Sequence, residues 1–415
     1  MGIESKTFCI LPFTHFATKT DGDIKLCCRS HPIGNINDSS IEEVWNGERM
    51  RVIRKQLLND ERPRECDACW RHEDINVSSM RQRVNTERTE LYRKNVEAIT
   101  EDYSLPFIVP VIEAKFSNLC NLKCRMCHPL DSTSWAKDWT EIEHLMESAN
   151  TSTYQKVKLY GLTNKPYVNG WEDNPKFWEE LGKLAPTLDK IEFAGGEPLT
   201  DPMHYKVLEA LKPYAHQITI KYSTNLTNLN YKKQNILEIW NQFKAVVIII
   251  SIDGVGEVYD YIRQGADYSE VCRNIELIKQ HPKVVAIMGA CTLQIYNIFS
   301  FTDIIDEFEN VLNIRLHTHR VNYPRFLDAR VIPRHIKEKL CNELELFKRM
   351  YPDDKNILKH VNDSINMLKG GDMEEQELLN FVEFSDRLDK VQGVVKTWRE
   401  LLPELADYVK SRYNE

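Results

Sequence analysis

Residues 117–129 read SNLCNLKCRMCHP, and their reading decides the fold. They set Cys120, Cys124 and Cys127 in a C-x3-C-x2-C spacing directly behind an apolar run, 108–116, that reads as a strand. The thiols therefore belong to a loop at the C-terminal end of a strand, the end where barrel proteins build their sites. Three clustered thiolates suit an iron–sulfur cluster. With no fourth Cys nearby, one iron is left open to another ligand. Zinc is the alternative, and the adjacent His128 could complete its tetrahedron.

Outward from this loop, strand and helix signals alternate. Residues 190–194, 218–222, 245–252, 284–293 and 314–317 read as further strands. Between them apolar residues recur at helical spacing, as in Trp135, Trp139, Ile142 and Leu145, or Met203, Val207, Leu208 and Leu211. Six strands alternating with helices predict a parallel sheet with right-handed crossovers. The count suits an α/β fold built on a partial (β/α)6 TIM-type barrel, two units short of the closed form. Residues 149–174, rich in Asn, Gly, Thr and Tyr, interrupt the alternation and are long for a routine connection. A surface excursion and a lid over a site are both open readings.

Four segments follow. Residues 1–75 form a small Cys-rich, irregular module, with one helix over 40–58 opened by Ser39 or Ser40 and carrying Glu42 and Glu43 in its first turn. Residues 76–106 form a charged helical connector. Residues 107–325 form the barrel, and 326–415 a helical C-terminal region. That last region carries stripes at Leu340, Leu344 and Phe347, at Leu358, Val361, Ile365 and Leu368, and at Leu378, Val382 and Leu388. No catalytic motif stands in it, and packing against the barrel is its expected role.

The composition narrows the class. The 415 residues are 42% hydrophobic and 28% charged, which supports a buried core and excludes a disordered or collagen-like chain. No apolar run approaches the roughly 18 residues of a spanning helix, and the first residues lack a basic n-region, so no secretion signal is expected. The 11 Cys are odd in number and grouped in tight runs. That pattern favours thiolate chemistry in a reducing cytoplasm over a disulfide framework. A net charge of -8 argues against nucleic acid as the main partner.

The ordered motifs resemble the radical S-adenosylmethionine (SAM) superfamily over about 107–325. After the second strand stands FAGGEPL, with Gly195, Gly196 and Glu197; in the family this segment meets the SAM amino group. Ser223 and Asn225 end the third strand. Ser251 and Asp253 end the fourth, where the family contacts the ribose. Arg263 resembles the arginine that meets the SAM carboxylate, and residues 292–296 would lie near the adenine. Met126 stands before the third Cys, where the family often has an aromatic residue near the adenine. The resemblance implies a [4Fe-4S] cluster on Cys120, Cys124 and Cys127 whose open iron chelates SAM. One electron then cleaves the sulfonium, giving methionine and a 5′-deoxyadenosyl radical that abstracts hydrogen from a substrate.

The N-terminal segment reads FCILPF, DGDIKLCC, GNI and CDACW. It resembles the SPASM/twitch auxiliary-cluster module, here placed ahead of the barrel rather than behind it. Cys9, Cys27, Cys66 and Cys69 would close one [4Fe-4S] or [2Fe-2S] cluster, with Cys28 as the alternative to Cys27. A zinc knuckle is the other reading, since so small a segment needs some metal centre to hold together.

On the substrate side, His317 and His319 share a strand face, and Arg320, Tyr323 and Arg325 follow. Together they are a candidate anionic or peptide-contacting patch. The leading expectation is a radical SAM enzyme acting on a peptide or protein, its auxiliary cluster aiding electron transfer or substrate binding. Flavodoxin or ferredoxin would serve as electron donor. One alternative is a radical SAM dehydrogenase or epimerase of a small molecule such as an amino sugar. Another, from a different class, is a zinc-stabilised interaction protein without catalysis.

Overall fold

Strand β4 (Val111–Lys115) leads into the three-cysteine loop, and the rest of the sheet is laid out from it. The computed structural model describes residues 3–74, 78–148, 152–165, 171, 173–321 and 323–413. The chain divides into two units. The first comprises Met1–Leu119, Tyr167–Ser223 and Asn230–Val247; the second comprises Cys120–Pro166, Thr224–Leu229 and Ile248–Glu415.

In the first unit, β1 (His15–Thr18) runs parallel to β4, with His15 opposite Val111 and Ala17 opposite Glu113. Strands β2 (Asp23–Lys25) and β3 (Pro32–Asn35) continue outward from β1 in antiparallel pairing. On the other side of β4 come β5 (Lys190–Ala194) and β6 (Thr219–Thr224), both parallel, with Ile112 opposite Ile191 and Ile191 opposite Ile220. A small hairpin, β7 (Asn230–Tyr231) and β8 (Gln234–Asn235), precedes β9 (Ala245–Ser251), the neighbour of β6. Val246, Ile248 and Ile250 on β9 are fully buried.

The second unit continues from the later residues of β9 to β10 (Val284–Leu293) and β11 (Arg315–Arg320). These last two are parallel, with Met288 opposite Arg315 and Leu293 opposite Arg320. Among the described residues β11 has a strand neighbour on one side only. Parallel strands, alternating helices and an open edge make this an α/β fold of the partial (β/α)6 barrel type. Strands β4, β5, β6, β9, β10 and β11 are the six read from the sequence, and β1 adds a further strand parallel to β4.

The Cys-rich segment contributes β1, β2 and β3, which the sequence does not announce. They are three or four residues long, and β1 is buried at every position, polar His15 and Thr18 included, so no alternation betrays it. The helix expected over 40–58 is two helices. Ser40 caps Ile41–Trp45 with a full capping box, and Asn46–Gly47 breaks the run before Glu48–Leu58.

Within 149–174, residues 152–159 are helical, with Tyr154 and Val157 buried. Trp171 is fully buried against Phe116 and Phe177, at ring distances of 5.2 and 5.0 Å. Residues 149–151, 166–170 and 172 of that stretch lie outside the described residues. The C-terminal region is helical: Arg334–Met350, Lys355–Lys369, Glu375–Gln392, Trp398–Leu401 and Pro403–Tyr413. In the second of these the buried stripe begins at Ile357 rather than Leu358. Gly393, at φ 59, ends the third in the left-handed conformation that glycine adopts freely. Among the described residues no helix is long and apolar enough to cross a membrane.

Candidate functional site

The three-cysteine loop belongs to the second unit. Cys120, Cys124 and Cys127 are each partly exposed. Burial pushes the Cys127 thiol well up, and Asp131, Cys124 and Cys120 push it further, so the three sulfurs feel one another. The loop backbone is fixed from outside. Lys123 N–H donates to Gln264 O and Arg125 N–H to Ile262 O, both at 2.9 Å. The carbonyls of Cys120, Leu122 and Cys124 accept from Ser134 Oγ, Ser132 Oγ and Trp135 Nε1 at 2.7–2.9 Å. These bonds fix the loop backbone between the thiols.

Asn121, inside this loop, joins a closed polar triad. Its Nδ2 donates to Thr227 Oγ1 (2.9 Å), Thr227 Oγ1 donates to Asn225 Oδ1 (2.8 Å), and Asn225 Nδ2 returns to Asn121 Oδ1 (3.0 Å). Asn225 thus holds the cysteine loop. Asp253 is fully buried; its Oδ1 accepts from Thr292 N–H at 2.7 Å, and its carboxylate pairs with Arg263 at 2.6 Å. Arg263 also reaches Cys124 Sγ at 3.7 Å, while its Nε is buried and donates to no protein atom. The structure therefore joins to each other two residues that the resemblance assigns to opposite ends of SAM. Ser251 and Met126 are partly exposed at the end of β9 and in the loop.

One residue of this loop escaped the sequence reading. Arg125, between Cys124 and Met126, is fully buried. Its guanidinium donates to Tyr261 O (3.1 Å) and to Asp389 Oδ1 (2.5 Å) and lies 3.7 Å over the Tyr261 ring. Asp389 stands on the helix Glu375–Gln392, where the sequence shows only one acid among many.

In the first unit, the FAGGEPL turn closes on the backbone just ahead of Cys120. Gly196 N–H donates to Ser117 O (3.1 Å) and Glu197 N–H to Leu119 O (2.7 Å). Gly195 holds φ +127, and a Cβ on Gly196 would lie 2.1 Å from Leu119 O. Glycine at 196 is thus required by close backbone approach. Glu197 is buried and its carboxylate accepts from Leu199 N–H at 3.0 Å. Ser223 is exposed on β6.

Also in the first unit, Cys9, Cys27, Cys66 and Cys69 line one small cavity. Burial pushes the Cys9 and Cys27 thiols up to about 12; Cys69 raises Cys9 further, and Cys28, then Cys9 and Cys69, raise Cys27. Cys66 is raised by burial, then by Cys9, Cys27 and Cys69. Cys28 is exposed and does not line the cavity; its Sγ lies 3.9 Å from Met80 Sδ. Four thiols lining one cavity, three of them buried and Cys66 half-buried, are a donor set that fits an iron–sulfur centre, whose positive irons stabilise the thiolates that burial disfavours. Among the described residues no three His, Cys, Asp or Glu groups stand close enough to share one metal ion, so the set is not a preformed single-ion site.

The candidate substrate residues lie in the second unit. His317, His319 and Arg320 are exposed on β11. Arg320 pairs with Asp328 (3.5 Å), Arg325 with Glu377 (3.6 Å), and Tyr323 OH reaches Met146 Sδ (3.2 Å). Both arginines thus already have carboxylate partners.

Comparison with known proteins agrees with this layout. Residues 114–313 match the model of the radical SAM superfamily, and residues 9–70 match that of SPASM, an iron–sulfur cluster-binding domain. Residues 114–313 thus belong to a radical SAM domain, and an auxiliary SPASM module stands at its N-terminal side. The first domain implies a [4Fe-4S] cluster with SAM, and the second implies auxiliary iron–sulfur. No curated protein matches the chain. Similar solved structures include native anSMEcpe with bound AdoMet and Cp18Cys peptide, at 14% identity over 57% of this chain and 58% of that chain, TM-score 0.35. Streptococcus suis SuiB bound to S-adenosylmethionine is similar at 15% identity over 69% and 57%, TM-score 0.32. SuiB bound to precursor peptide SuiA gives 14% over 76% and 63%, TM-score 0.33. The chain covers less than two thirds of the length of each of these.

Proposed function

We propose that this protein modifies a peptide or protein by hydrogen abstraction, with the SAM cluster on Cys120, Cys124 and Cys127 and the auxiliary centre on Cys9, Cys27, Cys66 and Cys69. The observation that carries the reading is the division of seven thiols into a set of three and a set of four, each gathered in its own unit. Three ligands leave an iron open for SAM; four close a centre suited to passing or accepting an electron. When bound, the cluster and SAM supply a 5′-deoxyadenosyl radical.

The chain's own residues do the rest. Asn121, Asn225 and Thr227 keep the cysteine loop in place, as do Trp135 and Arg125. The Gly195–Gly196 turn brings its backbone within hydrogen-bonding reach of residues 117–119, and its carbonyl groups suit the SAM amino group. Ser251 suits the ribose, Asp253 holds Arg263, and the unpartnered Nε–H of Arg263 suits the SAM carboxylate. Met126 offers an apolar, polarizable face to the adenine. The peptide assignment rests on the likeness of the module to those of SPASM maturases. A flavodoxin or ferredoxin is the natural one-electron donor.

The test is anaerobic. Protein loaded with iron and sulfide, SAM and a strong reductant should release 5′-deoxyadenosine. Replacing Cys120, Cys124 and Cys127 by Ala should abolish the release. Deuterium should pass into 5′-deoxyadenosine from uniformly deuterated peptides of the host. Transfer from deuterated amino sugars and not from peptides would overturn the peptide assignment in favour of a small-molecule substrate.

A further inference from the structure

The helix Met80–Arg88 lies beyond the 9–70 match to the SPASM domain, yet two of its residues, Met80 and Arg81, line the four-thiol cavity. Arg81 is 8% exposed. Its Nη1 donates to Phe8 O, the residue before Cys9, at 2.6 Å. Its Nε and Nη2 are taken by Glu73 at 3.0 and 2.6 Å, and its guanidinium lies 4.9 Å from the Trp70 ring, next to Cys69. Asn85, one turn on, grips the same segment from both sides of Cys9. Its Nδ2 donates to Phe8 O (2.7 Å) and its Oδ1 accepts from Ile10 N–H (2.9 Å).

The order of charges matters. Arg81 is on the cavity wall and Glu73 is not. A largely buried arginine thus lines the thiol cavity while its carboxylate partner does not, and the exposed Arg29 is the other cation on that wall. Reducing an iron–sulfur centre adds one electron and no proton, so the centre gains one negative charge. In a low-dielectric surrounding a neighbouring cation stabilises that charge and a neighbouring anion opposes it.

We propose that Arg81 is a positioning residue for the auxiliary centre that raises its electron affinity, with Glu73 orienting the guanidinium and moderating its effect. This rests on the assignment of Cys9, Cys27, Cys66 and Cys69 as the ligands of that centre. It gives a role to residues beyond the 9–70 match, and it suits a centre that accepts an electron from the substrate side.

The experiment uses the full chain with Cys120, Cys124 and Cys127 replaced by Ala, so that the auxiliary centre alone gives a signal. Iron and sulfide are counted, and the midpoint potential is read by electron paramagnetic resonance in a redox titration. Arg81→Gln should keep its iron and shift to lower potential. Glu73→Gln should shift to higher potential, and Arg81→Lys should stay near the parent. Opposite shifts from the two charge removals are an electrostatic signature that loosened packing does not give. Unchanged potentials, or shifts of the same sign, overturn the proposal. So does loss of iron from Arg81→Gln, which makes Arg81 structural only. A parent protein without iron or sulfide instead overturns the ligand assignment beneath it.

Discussion

Asp389 Oδ1 accepts a 2.5 Å hydrogen bond from Arg125 Nη2, tying a C-terminal helix to the segment between two cysteines of the radical SAM motif. Asp389 is itself held by Tyr261 OH (2.8 Å) and by Trp398 N–H (2.9 Å). A second tie runs beside it: Lys123 pairs with Asp138, and Gln392 donates to the same carboxylate. Removing one partner of a buried ion pair leaves the other charge uncompensated, at about 3–5 kcal/mol. Asp389→Ala should therefore destabilise the protein by roughly that amount and lower its iron content. Arg125→Met with Asp389→Leu, which removes both charges, should recover much of the loss. Urea unfolding with iron analysis checks it; a double variant no better than the single one sinks the account.

Gly196 gives a steric prediction. An alanine Cβ would meet Leu119 O at 2.1 Å and the Leu119 and Asn118 carbonyl carbons at 2.6 and 2.7 Å, all backbone atoms. The turn must move, and Leu119 immediately precedes the first cysteine. Gly196→Ala should cost about 1–3 kcal/mol or more and sharply reduce 5′-deoxyadenosine formation. Gly182 is the control. It is exposed on the helix Pro175–Leu184, and nothing lies within 4 Å of its added Cβ. Gly182→Ala should stabilise by about 0.8–1.0 kcal/mol, read as a raised melting temperature with activity kept.

These two sites show what the sequence could and could not disclose. The Gly-Gly pair and the cysteine spacing are local signals, written in adjacent residues, as are strands β4, β5, β6, β9, β10 and β11 with their apolar runs. The partner of Arg125 is 264 positions away. An acid on an amphipathic helix carries no mark that distinguishes burial against a guanidinium from exposure. Arg81 was likewise hidden in a charged connector, where a solvated face is the ordinary expectation. Strand β1 was hidden because its polar residues are buried by hydrogen bonding, as in His15 Nδ1 with Leu26 O at 2.8 Å. Periodicity records which faces are dry; it does not record which polar groups have found partners.

His204 sets a pH dependence. It is fully buried, Nε2 lies 2.8 Å from Tyr222 OH, and burial depresses its pKa to about 3. In the unfolded chain it titrates near 6.5. Between those values the unfolded state binds the proton and the folded state does not, so stability rises with pH in this window and falls on acidification. The slope is about 1.4 kcal/mol per pH unit. Going from pH 7 to pH 5 should cost about 2 kcal/mol through this residue. His204→Gln should remove that much of the difference between urea unfolding curves at the two pH values. An equal pH dependence in the variant and the parent contradicts the assignment.

The adjacent pair Cys27 and Cys28 separates by burial. Cys27 shares the cavity with Cys9, Cys66 and Cys69, whereas Cys28 is exposed and its sulfur lies within hydrogen-bonding range of Met80 Sδ. A serine at position 27 replaces a thiolate ligand with a poor hydroxyl donor inside the cavity; a serine at 28 changes a surface group. In the background lacking Cys120, Cys124 and Cys127, Cys27→Ser should lose most of the remaining iron and sulfide, and Cys28→Ser should keep it. The same contrast should appear in the visible absorbance of the centre. If Cys28→Ser loses the iron and Cys27→Ser retains it, the ligand set is Cys9, Cys28, Cys66 and Cys69, and residues 27–28 must rearrange when the centre is built.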